Sequence, residues 1–497
     1  MNAVEHGPNR NIQSEITDSP RPGLMCGFSR QWGKLGLICG VFSVLCGTTR
    51  NDPAFSDVKS SASAAGQMDQ KEAEGKRIED ERWSHLKNIA IGEARLDIGA
   101  GLRLRGEILD GFNIKKYDEN LNDALLLERV RIEMALRYHG FRIFVQGQDA
   151  REFGCDLSNS DFTGSSPYNN DFDLRQAYIE NPHVADTPFG FRVGRQSIAY
   201  TDNRLMGPGE WGNVGRYVWD AALLTWRSER FSLDLFEAIR VKYEPTRFDE
   251  KHYDYDLAGM YSTLEYEDFK FHAFYFLKMN NFVSKNADGG SEWFHRHSPG
   301  LSMEGTFEDR FDCSMGLVPQ FGEWDDKTVL AFGGYATVGY TADVSTSPRV
   351  GLHYAYASGD GNPANDTSRT FDGIFGAVDN YYGRMNLFSW MNLHDVQLAL
   401  SNKPLPFLKA NLDYHLFFLA DNKDAWYYST GQQQRRDMDG ESGSFVGHEV
   451  DLVMTLKATS HAQLQAGYGL FIPGEFVRNT GKEKLAHWGF IQGNYEF

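Results

Sequence analysis

Residues 101–109 read GLRLRGEIL, and the spacing within them decides the fold. Leu102 and Leu104 alternate with Arg103 and Arg105, and Glu107 continues the charged set. In an extended strand successive side chains face opposite sides, so the segment has one aliphatic face and one densely charged face. The same alternation recurs at 126–136, where Leu126, Val130, Ile132, Met134 and Leu136 oppose Arg129, Arg131 and Glu133. It recurs again at 408–416, with Leu408, Ala410, Leu412, Tyr414 and Leu416 against Lys409, Asn411, Asp413 and His415. Near the C-terminus Val450, Leu452, Met454 and Leu456 oppose Glu449, Asp451, Thr455 and Lys457.

Connections between these segments alternate as well. Short turns are expected at Ser228-Glu229, Glu267-Asp268, Glu308-Asp309 and around Pro404-Leu405, and longer polar stretches at 153–171, 200–218, 279–293, 359–392 and 420–442. Segments of about ten residues give roughly eighteen strands, an even number with short turns at one end and long loops at the other. That is the pattern of an all-β, outer-membrane β-barrel with short periplasmic turns and long extracellular loops. The junction at Asp325-Asp326 departs from it, being short where a long loop is expected. The last segment, His487 to Phe497, ends Tyr495-Glu496-Phe497, an aromatic finish suited to barrel closure.

Composition agrees with this reading. The 497 residues are 41% hydrophobic and 14% aromatic and include fifty glycines, a composition that leans towards strands and turns. No apolar run of about 20 residues follows the N-terminal region, which excludes a helical membrane protein but not a barrel. A net charge of −18 argues against nucleic acid as a partner. It leaves room for a locally positive interior.

Arg21, Arg30 and Lys34 precede the apolar Leu35 to Gly47, so residues 1–65 read as a secretory signal, with Met25 as an alternative start. Residues 66–90 read as a polar periplasmic leader and 91–497 as the barrel. Three of the five cysteines lie in the signal region, leaving Cys155 and Cys313. These are expected at opposite rims, some 25 Å apart, too far for a disulfide, which needs Cα atoms within about 7 Å.

Several stretches, in order, resemble the alginate export family of outer-membrane barrels: GAGLRLRGE (99–107), LRQAYIE (174–180), FRVGRQ (191–196), YASGDGNP (356–363), TFDGIFG (370–376), NLHDVQLALSNKP (392–404), VGHEVDLV (446–453) and GYGLFIPG (467–474). The resemblance implies a monomeric eighteen-stranded barrel that passes an anionic polysaccharide such as alginate through an arginine-lined lumen. It also implies outer-membrane lipid around the wall and periplasmic polysaccharide-synthesis or secretion proteins as partners. The matching positions are Arg103, Arg105, Arg129, Arg131 and Arg195; strand parity turns the first four inward and leaves Arg195 ambiguous. A guanidinium meets a carboxylate bidentately and keeps its charge, which suits a polyuronate. Strand parity adds Glu107, Glu133, Lys409, Asp413, Glu449 and Asp451 to the lumen face. The plainer alternative is that the arginines pair with Glu107, Glu133, Glu449 and Asp451 within the wall.

Two other functions stay open: a general porin, and an outer-membrane hydrolase. No Gly-x-Ser-x-Gly elbow supports the hydrolase, and no catalytic residue is expected. No cofactor is expected either. Asp360, Asn362 and Asp366 make an oxygen-rich stretch with some calcium-loop character, without the full spacing of such loops. Loop 359–392 is long enough to fold inward and narrow the pore.

Overall fold

The computed structural model describes residues 82–162, 166–285, 291–379 and 381–497. The expected signal segment, its alternative start at Met25 and the leader up to residue 81 lie outside the described residues.

Eighteen antiparallel strands close into a barrel. They are β1 Ala94–Phe112, β2 Tyr117–Tyr138, β3 Phe141–Phe153, β4 Asn170–Asn181, β5 Phe189–Gln196 and β6 Trp219–Arg227. Next come β7 Phe231–Lys242, β8 Glu250–Tyr266, β9 Phe269–Lys285, β10 Ser291–Phe307, β11 Phe311–Trp324 and β12 Lys327–Thr341. The set ends with β13 Arg349–Ala357, β14 Leu393–Leu405, β15 Leu408–Phe418, β16 Phe445–Lys457, β17 Ala462–Pro473 and β18 Ala486–Glu496. Each pairs with its neighbours in sequence, and β1 pairs with β18 from Gly101↔Glu496 to Asp110↔His487, so no edge is left open. The terminal aromatic belongs to this seam. Phe497 exchanges backbone hydrogen bonds with Ala100, and its ring stacks on Trp83 at 3.9 Å.

Alternation places the apolar residues outward. Ile132, Met134, Leu224, Leu301, Leu352 and Leu452 are exposed on the outer face, where hydrocarbon rather than water meets them. Arg103, Arg105, Asp413, Glu449 and Asp451, on the other parity, are buried inside.

The turn pattern holds, with differences. The periplasmic end carries the tight turns, including 267–268, 308–310 and 406–407. At the other end lie connections 154–169, 197–218, 358–392, 419–444 and 474–485, the last containing helix α1, Glu475–Thr480. Asp325 and Asp326 form a tight turn on the loop-bearing side, as the sequence suggested, and residues 113–116 form another. The expected loop 279–293 is shorter, because β9 and β10 run on through Lys285 and from Ser291.

The lumen is filled. Phe371, Phe375, Phe388 and Trp390 of connection 358–392 pack against Trp219, Trp426 and Phe471 in one apolar cluster. A parallel bridge from Met206 to Phe375 joins connection 197–218 to 358–392. Two inward-folded connections therefore meet inside the barrel. Cys155 and Cys313 are both free thiols.

Candidate functional site

Arg103 and Arg105 on β1, Arg129 and Arg131 on β2, and Arg175 on β4 converge on one turn of connection 197–218. The first four project together because each occupies an inward position of two paired strands, with Arg103 directly opposite Arg129, and Arg175 joins them from a register shift in β4. Like charges on paired strands repel, and the arrangement persists because the turn supplies acceptors. Arg103 donates to the carbonyls of Glu210 and Gly212, each at 2.8 Å. Arg105 donates to the Trp211 carbonyl at 2.7 Å, lies 4.3 Å over the Trp211 ring, and pairs with Glu107 at 2.5 Å.

The Glu210 carboxylate takes the other three. Its Oε2 lies 2.7 Å from Arg131 and 3.4 Å from Arg129, and its Oε1 lies 3.1 Å from Arg175. Burial pushes this carboxyl up, but Arg175, Arg131 and Arg129 outweigh it and hold it well below the usual carboxylate range. Asn213, fully buried, donates to the carbonyls of Glu128, Arg151 and Tyr168, which pins the turn to the wall. Asp379 of connection 358–392 also faces the arginines. Burial raises its carboxyl, opposed by Arg216, Arg105 and Arg103.

The other residues expected at the pore fall into different places. Glu133 accepts from Gln146 at 2.9 Å on the inner wall. Glu449 and Asp451 do not meet the β1 and β2 arginines. They accept the backbone amides of Met385 and Arg384 and so fasten connection 358–392 to β16. Asp413 lies 3.5 Å from the Arg384 guanidinium and accepts from Gln397. Lys409 shares the inward parity but sits exposed near the periplasmic turn.

Arg195 requires correction as a lumen residue. It stands in register with Ala177 and Asp220, on the parity of the exposed Ile179, Val193 and Leu224, and forms an ion pair with Asp220 at 2.9 Å. The pairing of β4 with β5 runs through Gly194 without a slip, so Arg195 keeps the outward parity.

The plainer alternative of wall pairing is met for Arg105 alone, through Glu107. The main acceptor, Glu210, comes from a loop. Among the described residues no group of three or more His, Cys, Asp or Glu side chains is placed to share a metal ion. In the oxygen-rich stretch Asp360 accepts from the Asn362 amide, and the Asp366 carbonyl accepts from Thr328.

Two cavities of mixed charge also lie inside the barrel, unnoticed in the sequence, the larger one lined by Asp325, Asp326, Asp360, Asp372 and Asp424 beside its basic side chains. A cavity of about 280 Å³ is lined by Arg216, Arg240 and Lys278, and one of about 620 Å³ by Lys278, Arg296 and Arg436. Lys278 and Asp372, an ion pair at 2.7 Å, line both cavities. Arg175 stood in the LRQAYIE stretch, but parity with the outward Ile179 turns it away from the lumen; it faces inward because the register shifts there, Gln176 opposing Gln146 and Leu174 opposing Gly147. Arg216 lies in a loop, where no parity rule applies.

With this geometry in place, comparison with known proteins decides the family. The family model for alginate export matches residues 94–489, from the first residue of β1 into β18. The chain belongs to the alginate export family. Its fold is that of outer-membrane channels. The Pseudomonas aeruginosa protein OccK9 (OpdG) aligns with a TM-score of 0.53 at 11% identity over 81% of this chain and 98% of its own. OccK8 (OprE) of the same organism gives 0.53 at 10% identity over 81% and 98%, and OccK11 (OpdR) 0.50 at 12% over 80% and 96%. At these identities the likeness is one of fold. No curated protein matches the sequence. The protein is a multi-pass β-barrel of the outer membrane and a member of a channel family.

Proposed function

We propose that this alginate export family barrel passes an anionic polysaccharide, a polyuronate such as alginate, with the arginines around Glu210 as its point of contact. One observation carries the reading: three guanidiniums, two from β2 and one from β4, grip a single carboxylate inside the lumen. Glu210 stands where the carboxylate of a uronate would bind, and a low-dielectric wall strengthens such contacts. No covalent step is needed. A monomer suffices, because the barrel closes on itself through β1 and β18. Direction would come from a gradient and from periplasmic partners that deliver the polymer.

A channel for small carboxylates is the second reading, favoured by one observation. Two inward-folded connections leave cavities of about 620 and 280 Å³, within the range of small-molecule sites. Planar-bilayer recording separates the two. Long-chain polyuronate added to one side should block small-anion current with a residence time that grows with chain length. A neutral polysaccharide of equal length should not block. Block by monomeric uronate alone, with none by the polymer, would favour the small-solute channel.

A further inference from the structure

Four times, one cross-strand arrangement repeats on the outer face of the barrel. Tyr275 pairs with His297, Tyr354 with His394, Tyr414 with His448, and Tyr468 with His487, each through the phenol and the imidazole Nδ1. The distances are 2.5, 2.7, 2.7 and 2.7 Å. The offset is the same in every pair: the tyrosines oppose Pro299, Val396, Val450 and Gly489, and each histidine lies two residues earlier on that strand. Three pairs occupy the consecutive hairpins β13–β14, β15–β16 and β17–β18. Their neighbours of equal parity, such as Leu352, Val396, Leu412, Leu452 and Ile491, are exposed apolar residues, so the pairs face lipid. All three lie near the loop-bearing strand ends, the level of the outer-leaflet headgroups.

Tyrosine alone is ordinary at a membrane interface, where its ring is apolar and its hydroxyl wet. The histidines are not explained that way. An imidazole nitrogen is a much stronger acceptor than a phenol oxygen, so the tyrosine donates to Nδ1 and the neutral ring keeps its proton on Nε2. Each pair thus fixes an N–H donor on the outer surface. The same N–H is present when the ring is protonated. A cation lies beside one of them: Arg478 of α1 is close to His448, half exposed, with its own contacts to the Pro473 carbonyl and Glu483.

We infer that the Tyr–His pairs of β13–β18 form a binding belt for the phosphate groups of outer-leaflet glycolipid, holding this side of the barrel at a fixed depth. Donors at one level with an adjacent guanidinium complement a phosphomonoester, whereas acyl chains alone give an Nε2–H nothing to bind. The inference rests on the barrel and its membrane, and is independent of what passes through the lumen.

The test uses the full barrel refolded into bilayers that contain bisphosphorylated lipid A or its dephosphorylated form. The readout is the temperature at which the heat-modifiable band shifts on a gel. The native protein should unfold about 5 °C higher with the phosphorylated lipid, since a ligand that binds only the folded state stabilises it. The triple variant His394→Phe, His448→Phe and His487→Phe should lose most of that rise. The variant Tyr354→Phe, Tyr414→Phe and Tyr468→Phe, which frees the rings to turn, should lose part of it. Equal unfolding temperatures of the native protein in the two bilayers would overturn the inference, and that comparison needs no variant to fold. A full rise retained by the histidine variant would also overturn it. So would an equal rise when inorganic phosphate is added to the dephosphorylated bilayer, because the ligand would then be a free anion.

Discussion

Arg131 and Glu210 meet at 2.7 Å inside the barrel, a wall residue joined to the tip of an inward-folded connection. The pair couples the pore's charge to the position of the loop that fills it. Glu210 neutralises part of a cluster that otherwise holds Arg103, Arg105, Arg129, Arg131 and Arg175, with Glu107 as the wall carboxylate bonded to them among the described residues. Whatever displaces Glu210 must offer the same guanidiniums an equivalent anion.

Glu210→Gln should therefore make the lumen more attractive to anions. Side-chain shape is kept and one negative charge is lost. The reversal potential under a salt gradient should move towards anion selectivity. Polyuronate affinity should rise several-fold, up to about tenfold, which corresponds to about 1.4 kcal/mol. A lower polyuronate affinity in this variant would show that Glu210 is a structural clasp and not a stand-in for substrate.

The same carboxyl sets a pH dependence. Its value in the folded protein lies below the ordinary value of 4.5, so the tether is fully present above that pH and weakens as pH falls beneath it. Asp379 titrates separately and higher. The comparison to make is native protein against Glu210→Gln, recorded as conductance from pH 7 to pH 3. The two traces should stay apart through pH 4.5 and down to pH 3, because the arginines keep this carboxyl ionised well below its ordinary value. A convergence already complete at pH 6 would contradict the proposed clustering of three arginines on this group.

Much of this architecture was legible in alternation. Leu102, Leu104, Arg103 and Arg105 fix their own faces, because a strand's period of two leaves no third option. Arg195 was ambiguous, since Gly194 interrupts the side-chain pattern and only the observed register resolves it. Glu210 was invisible. It lies in a 22-residue connection, 197–218, whose path depends on Asn213 reaching carbonyls of β2 and β3 and on Met206 meeting Phe375. Contacts between loops carry no periodic signature. The aromatic filling of 358–392 was hidden for the same reason, although its length suggested an inward fold.

Arg204 is a second clasp between the two inward connections. Its guanidinium lies 4.1 Å from the Tyr335 ring centroid and 4.0 Å from that of Tyr381, with Asp202 at 3.2 Å. It is 4% exposed. Arg204→Met keeps the stem but removes the cation–π contacts and leaves Asp202 without its partner. A loss of about 3 kcal/mol is expected in urea unfolding of the detergent-folded barrel. The single-channel current should also become noisier as the connections loosen. Unchanged stability and a quiet current would mean the two connections are held by apolar packing alone.

Gly383 tests the attachment of connection 358–392 to the wall. Its φ of 83° is a left-handed conformation that side chains seldom adopt, and an added Cβ would run into the Glu449 carboxylate. Gly383→Ala should push the Met385 amide away from Glu449 and cost about 1–3 kcal/mol. Proteolysis within 358–392 in intact barrels should accelerate, with the strands remaining protected. Equal protease resistance of variant and native protein would show that Arg384 and Met385 are held by other means.

Charge reversal at Arg129→Glu with Arg131→Glu separates a polyuronate conduit from a generic pore. Both side chains contact Glu210, so the variant replaces attraction at the loop tip by repulsion and cancels the positive charge of the wall cluster. Selectivity should shift towards cations, and block by polyuronate should weaken. Each lost charge-assisted contact is worth about 1.5–3 kcal/mol, reduced towards the low end by water and salt in the lumen. Loosening of connection 197–218 should raise conductance at the same time, so the two effects must be read apart. The double variant with Glu210→Lys supplies the means, because it restores an ion pair at the loop tip while leaving the wall without its Arg129 and Arg131 guanidiniums. If polymer block returns with the restored pair, the arginines act through the loop. If block stays weak while conductance returns to the native level, the guanidiniums themselves hold the polymer, and that is the expected result.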